Sequence, residues 1–420
     1  MIYLYLLFLF QSLLYANQEF TLYVKTKNLL KPLYLEFHKD PAISKELSSL
    51  AESIITFDMT HSGFCEKVAE LKPSIDQLLF YLKPHSMIVK IQKFNKVEEL
   101  IFPISSSAQS FHEISDRLIY ELYGEYGIFS DRILYAQKED GVFSSDLFIK
   151  NFDQLNATQI TDDHHYKISP LFLSQKENTA EEILYVSYEN GLPKLYKHRL
   201  SDQKKSLLID LRGSQFLPAL SLHGEFLSFI SDASGSIDLF IQRLSKTFMP
   251  VGKPLQIFSS KNSVQASSTF DPKNANIAFV SDFEKRPKVY QLNFLKTVQS
   301  QKNQDVTLLT PSDMEASCPC YSPDGKKLAY SALVDGIRQI FIYDLDLNIH
   351  YALTSGPHHK ENPYFAANSL HLAYNTTSTE HEIYVINLNQ KTPVKITQGK
   401  GEKHYPCWER VKKRKIKDSM

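Results

Sequence analysis

This sequence has no excess charge of either sign: 47 Lys and Arg residues balance 47 Asp and Glu residues over 420 positions. Without a basic excess there is no electrostatic footprint for nucleic acid. The terminal run Arg410 to Lys417 reads as a solvated basic tail. Cysteine is scarce as well. Cys65, Cys318, Cys320 and Cys407 are too few for a disulfide scaffold and read as packing residues. After residue 16 no segment is long and apolar enough to span a bilayer. Residues 1 to 16 form a nearly uncharged apolar run ending at Ala16, which reads as an export leader, with an uncleaved anchor as the alternative. Catalytic signatures are missing too. There is no Gly-x-Ser-x-Gly elbow and no glycine-rich phosphate loop, and His112-Glu113 lacks the second histidine of a zinc-protease helix. Asp344-Leu-Asp-Leu-Asn348 starts like a calcium loop but lacks its glycine and final glutamate, so it reads as a turn. These absences argue against an enzyme and imply no cofactor and no metal.

What the sequence does contain is a repeat. Ser317 to Leu345 reads as three strands, Cys318 to Tyr321, Lys327 to Ala332 and Arg338 to Leu345, with a tight hairpin at Ser322-Pro-Asp-Gly325. Its third strand, with Ile340-Phe-Ile-Tyr343, shows no polar face, as expected of a strand covered on both sides. The same unit recurs through the chain. Third-strand aromatics Phe148, Tyr196, Phe240, Tyr290, Phe341 and Tyr384 return every 43 to 51 residues. First strands carry Pro-x-apolar at Pro170, Pro218, Pro319, Pro363 and Pro406, with Ser268 standing in once, and fourth strands end at Thr161, Thr310, Thr354 and Thr397. Four strands per repeat at this period predict a β-propeller. The first copy begins at Arg132-Ile-Leu-Tyr135 without a first strand, while Tyr405-Pro-Cys-Trp408 follows a completed last copy. The expectation is six blades in a ring closed by the C-terminal strand, leaving no open edge.

Before the repeats, residues 17 to 129 read as a small α/β domain. Phe20 to Lys25 and Leu33 to Phe37 are expected strands. Asp40 with Pro41 opens a helix striped by Ile43, Leu47, Leu50 and Ile54. Ser74-Ile-Asp-Gln77 opens a second helix, with Leu78, Leu79 and Leu82 facing in. Met87 to Phe94 and Glu98 to Ile104 form a hairpin. Ser110-Phe-His-Glu113 opens a last helix that ends at Gly124. The organisation expected is thus a leader over 1–16, an α/β domain over 17–129, a propeller over 130–410 and a basic tail over 411–420.

The domain order, the Tyr321-Ser-Pro-Asp-Gly-Lys-Lys-Leu-Ala-Tyr330 repeat and the closing Pro-x-Trp strand resemble the TolB family, the periplasmic propellers of the Tol-Pal system. The junction Leu122-Tyr-Gly-Glu-Tyr-Gly-Ile-Phe-Ser-Asp-Arg-Ile-Leu-Tyr135 is similar to the family's segment between its two domains. The resemblance implies a monomeric, non-enzymatic scaffold in the periplasm with no membrane insertion after processing. Its implied partners are a TolA-type inner-membrane protein and a Pal-type lipoprotein, in support of outer-membrane integrity and cell division. The TolA-type contact would fall on Glu19, Phe20, Thr21, Leu22, Tyr23, Val24 and Lys25, which could add a strand to a partner sheet. The Pal-type contact would use the loops leading into the first strands: His164, His165, Ser214, Phe216, Ser317, His358, His359, Glu361, Asn362, His404 and Tyr405. In the family the two sites bias one another. Ser214 stands where relatives often have histidine, and Ser268 where they have proline.

The residues themselves add one feature. His164, His165, His358, His359 and His404 belong to the second, sixth and first blades, which are neighbours in the ring. They could gather on one sector as a metal site or a pH-responsive contact, although a solvated loop surface is the favoured reading. The alternatives to a scaffold are a propeller that binds a small ligand or glycan in its central channel and a hydrolase-related propeller without its catalytic domain.

Overall fold

The computed structural model describes residues 30–409 except 73, 94, 95, 153–156, 174–180, 273, 274 and 301–304. An α/β unit comes first. Its five-stranded sheet runs β2-β1-β3-β4-β5, with β1 at Lys31–Lys39, β2 at Cys65–Lys67, β3 at Asp76–Lys83, β4 at Ser86–Lys93 and β5 at Lys96–Pro103. β1 pairs in parallel with β2 and β3, while β3, β4 and β5 form an antiparallel meander. Two helices, α1 (Lys45–His61) and α2 (Ala108–Tyr123), pack against each other over the sheet.

Three sequence expectations need correction here. The N-cap of α1 is Ser44, whose hydroxyl accepts from Leu47 N. Asp40 instead closes a turn, accepting from Ala42 N at 2.9 Å. Ser74 to Gln77 opens no helix. Leu78, Phe80 and Leu82 are buried with a period of two, and the segment is strand β3, flanked on both sides by partner strands. A capping-box pattern is a local signal, and sheet pairing overrides it. The third helix begins one turn earlier than expected, capped by Ser107 in place of Ser110, though Gly124 does end it in the left-handed conformation.

The chain then passes through a tight junction. Asp116 of α2 accepts hydrogen bonds from Phe129 N (2.9 Å) and Ser130 N (3.0 Å). Gly127 lies so close that an added Cβ would sit 2.1 Å from Asp116 Oδ1. That approach gives the junction glycine a physical reason.

Six four-stranded sheets follow, and the ring closes as expected. The C-terminal strand Glu402–Trp408 pairs with Arg132–Lys138 and becomes the inner strand of the first blade. Arg132 and Glu409 lock this closure with two charged hydrogen bonds of 2.7 and 2.8 Å. In every blade one aromatic pair bridges the second and third strands directly: Tyr135–Phe148, Tyr185–Tyr196, Phe229–Phe240, Phe279–Tyr290, Tyr330–Phe341 and Tyr374–Tyr384. Their ring centroids stand 5.7 to 6.3 Å apart. Cross-strand aromatic pairs of this kind are a main source of sheet stability. The recurring threonines are structural. Thr161, Thr310, Thr354 and Thr397 each accept a backbone N–H from the adjacent third strand.

Each inner strand carries a bulge opposite its second-strand aromatic. Where the strand holds proline, the preceding residue is left-handed: Ser169, Leu217, Cys318, Asn362 and Tyr405 have φ between 50° and 56°. These residues and their prolines line the central channel, a cavity of about 120 Å³. The cysteines are all free. Across the bulge Cys320 packs in the core, whereas Cys318 Sγ lies 3.3 Å from Asn362 Oδ1.

The α/β unit sits on the propeller side that carries the third-to-fourth-strand connections. His371, Asn387, Asn389 and Gln390 of the sixth blade bond the α1 end and the Gly63 turn. Phe152 of the first blade packs between Phe57 and Phe129. The opposite face, bearing the loops into the first strands, stays open among the described residues.

Candidate partner-binding face

Glu19 to Lys25, the expected TolA-type strand, lie outside the described residues. All the expected Pal-type residues lie on the open face or at the channel mouth, because each belongs to a loop entering an inner strand or to that strand's first turn. The structure groups them in several small clusters.

The first cluster spans the fifth and sixth blades. Arg338, at the start of the fifth blade's third strand (Ile337–Asp344), faces Glu361 at 3.5 Å and donates to Ser317 Oγ at 3.3 Å. Its backbone N–H donates to His359 Nδ1 at 3.1 Å. Three expected residues thus converge on an arginine that the sequence reading missed. The second cluster surrounds buried Asn375. Its Oδ1 accepts from Asn362 Nδ2 at 2.9 Å and from Tyr405 N at 3.3 Å, tying the sixth and first blades at the channel mouth.

The histidines do not assemble as a group of five. His358 Nδ1 pairs with Thr379 Oγ1 at 3.1 Å, and His359 is held by Arg338. His165 offers its backbone to Lys167, and exposed His164 occupies a left-handed turn position at φ 56°. His404 instead meets His381, a residue outside the expected set, and Glu402. Ser214 N donates to Asp232 Oδ1 at 2.6 Å, and Phe216 is half-buried between the apolar core around Phe229 and that around Ile230 and Phe270.

A buried lysine is a further regularity of the repeat. Three residues before the inner-strand proline, the second, sixth and first blades carry Lys167, Lys360 and Lys403, all buried. Lys167 is paired with Asp146 at 3.2 Å and with Asp163. Lys403 is paired with Glu382 at 3.2 Å and donates to Gly399 O at 2.7 Å. In both cases an acid comes from the first turn of the preceding blade's third strand. For Lys360 that place is taken by Gln339, which donates to Gly356 O at 2.8 Å and accepts from Thr354. The Lys360 ammonium donates to His358 O at 2.6 Å, and burial pushes its pKa down.

The same face exposes apolar surface. Phe143, in the second-to-third-strand loop of the first blade, is 82% exposed and stacks on Tyr166 with centroids 5.3 Å apart. Tyr166 in turn meets Tyr188 at 5.5 Å. Val142, Leu192 and Val264 add exposed apolar side chains around this face. Amphipathic rings beside a charged rim form the composition of a protein-binding patch. His112 is buried in the α/β unit with Nδ1 2.8 Å from Asp58 Oδ2. No helix among the described residues is long and apolar enough to cross a membrane.

Comparison with known proteins agrees with this architecture. The TolB beta propeller domain family matches residues 120–412. The TolB homologue of Protochlamydia amoebophila is 37% identical over 382 residues, covering 81% of this chain and 80% of that protein. The homologue of Chlamydia pneumoniae is 31% identical over 98% of this chain and 97% of its own length. The crystal structure of TolB from Acinetobacter baumannii superposes with a TM-score of 0.71 at 20% identity, covering 90% of this chain and 96% of that one, and so shares the fold. With the propeller matched almost from end to end and relatives of this identity spanning both units, the chain belongs to the TolB family.

Proposed function

We propose that this protein is the non-enzymatic TolB component of a Tol-Pal system in the periplasm. In this reading its open propeller face binds a Pal-type lipoprotein, and its N-terminal segment, residues 17 to 28, engages a TolA-type inner-membrane protein. The observation that carries the reading is the placement of Phe143, Tyr166 and Tyr188 on the face turned away from the α/β unit, the face that also carries the Arg338–Glu361 pair. An aromatic anchor beside a rim of charges favours a folded protein partner over a small ligand. A glycan in the channel is the weaker alternative, because about 120 Å³ of space falls short of the roughly 300 Å³ at which ligand pockets begin.

The test is calorimetry between this protein and the soluble Pal domain of the same organism, with and without residues 17 to 28. Saturable binding that Phe143→Glu abolishes, and whose affinity changes when the segment is removed, supports the scaffold and the coupling of its two sites. No binding by either folded form overturns the Pal-type assignment.

A further inference from the structure

The seam where the ring closes carries a side-chain cluster that the proposed partner contacts do not use. His381 lies in the connection between the second and third strands of the sixth blade, while Glu402 and His404 lie on the closing strand. One donor atom from each lies within 4.8 Å of the other two. His404 Nε2 is 3.5 Å from Glu402 Oε2, and the two imidazoles meet edge to face with centroids 5.7 Å apart. The backbone fixes the arrangement, since Lys403 N donates to His381 O at 3.1 Å between the two histidines.

One atom in the cluster is unaccounted for by the protein. His381 Nδ1 is buried and has no hydrogen-bond partner among the described residues. Buried polar nitrogens are seldom left in that state, because desolvation without compensation costs about 1–3 kcal/mol. Two imidazoles and a carboxylate are the donors of a three-ligand zinc site with an open fourth position. The same set suits cobalt, nickel and copper, and it disfavours calcium and magnesium, which select oxygen ligands.

We propose that His381, Glu402 and His404 bind a zinc-class divalent ion that bridges the sixth blade and the C-terminal closing strand.

A tetrahedral ion with bonds near 2.1 Å holds its donor atoms about 3.4 Å apart. The His404–Glu402 pair already has that spacing, and His381 offers a donor atom within 4.8 Å of both. Lys138 is the nearest cation, with Nζ 3.7 Å from Glu402 Oε1. It therefore takes the carboxylate oxygen that the ion does not need. The cluster lies on the same face as the proposed partner patch, because His381 belongs to a second-to-third-strand connection. An ion held here adds a cross-link to a closure otherwise made by strand pairing, the Arg132–Glu409 bonds and packing of the closing strand against its neighbours.

The test uses the full chain stripped with a chelator and titrated with cobalt(II), a spectroscopic stand-in for zinc. The expected result is one equivalent of d–d absorption typical of low coordination number, displaced by zinc, with a melting temperature that rises as zinc is added. The double variant His381→Gln and Glu402→Gln keeps side-chain volume and should lose both effects while melting near the metal-free parent. A second variant, His381→Ala alone, leaves the closing strand untouched and should weaken cobalt binding at least tenfold. No stoichiometric absorption in the parent, or equal absorption in the double variant, overturns the site.

Discussion

His371 of the sixth blade places its Nε2 2.9 Å from the backbone oxygen of His61, the last residue of α1. The other ring nitrogen lies 2.9 Å from Asn368 Nδ2, the place of an acceptor, and Asn387 Nδ2 lies 2.9 Å from Nε2, so the ring is enclosed by amide nitrogens and one carbonyl, an environment that favours the neutral imidazole. Beside it, Gly63 has φ +79° and leaves room for Asn387, which an added Cβ would strike at 2.0 Å. The junction between the two units is therefore a polar lock with little tolerance for added volume or charge.

That lock predicts a pH dependence. Burial pushes the His371 pKa down to about 4. The folded value lies below the unfolded one, so the contribution is complete above pH about 6.5 and is lost as pH falls through about 4. Asp58 works in the opposite direction over an overlapping window, because burial pushes its carboxyl up to about 6. The two are separated by subtraction. The stability difference between the parent and His371→Gln, measured by urea unfolding, should shrink by about 3 kcal/mol between pH 7 and pH 4. A difference that stays constant across that range would contradict the assignment of the neutral ring.

A second prediction concerns the bulges that line the channel. Ser169 is left-handed at φ 51°, is nearly buried, and has a hydroxyl with no partner among the described residues. Ser267, its counterpart in the blade without proline, has no positive φ, and its hydroxyl accepts from Cys318 N at 3.2 Å. Glycine relieves backbone strain only where φ is positive. Ser169→Gly should therefore stabilise the protein by about 0.5–1 kcal/mol, and Ser267→Gly should destabilise it by about 1–2 kcal/mol. Paired thermal melts of the two variants check the opposite signs.

How much was legible in the sequence follows from the range of each signal. The propeller was readable because its repeats restate one pattern, and Phe148 or Tyr384 can be aligned without knowing where either packs. Closure by Trp408 followed from counting strands. The α/β unit was harder, since nothing repeats in it. Ser74 to Gln77 has the composition of a helix start, and only pairing with β1 and β4 makes the segment a strand. On the open face, residue positions were predictable from the repeat but their partners were not. His404 was in the expected set, while His381, which meets it across the seam, comes from a different loop type and gave no local cue. The lysine recurring three residues before proline was visible in the sequence, yet its meaning depends on an acid supplied by the preceding blade.

Those lysines predict a contrast. Removing one partner from a buried ion pair strands the other charge, at a cost of about 3–5 kcal/mol. Lys167→Met takes the buried cation from Asp146, which keeps the Thr161 hydroxyl, while Asp163 retains Lys205 at 3.1 Å, so the loss should fall at the low end of that range. Lys360 faces Gln339 where the other blades have an acid and is held by a backbone carbonyl, so Lys360→Met should change stability by less than about 1 kcal/mol. Urea unfolding of both variants decides the point. Equal losses would mean that the carboxylates are not what holds the buried ammonium groups.

The last prediction uses the only tryptophan in the chain. Trp408 is 1% exposed, ends the closing strand opposite Ile133 and stacks near Phe152 at 6.3 Å. Its emission therefore reports ring closure directly, and it should be blue-shifted in the native protein. Truncation of the ring to alanine at this position, Trp408→Ala, should cost about 3–5 kcal/mol, as for other large buried side chains. A chain ending at Gly401 lacks the inner strand of the first blade and exposes the Arg132–Lys138 edge, which invites pairing with other chains. It should self-associate and unfold without the parent's cooperativity. A peptide spanning residues 402 to 410, added in trans, should restore the monomer and give blue-shifted tryptophan emission, because the vacant position accepts a strand of that register. A shortened chain that stays monomeric and unfolds like the parent would show that the ring does not depend on its C-terminal strand.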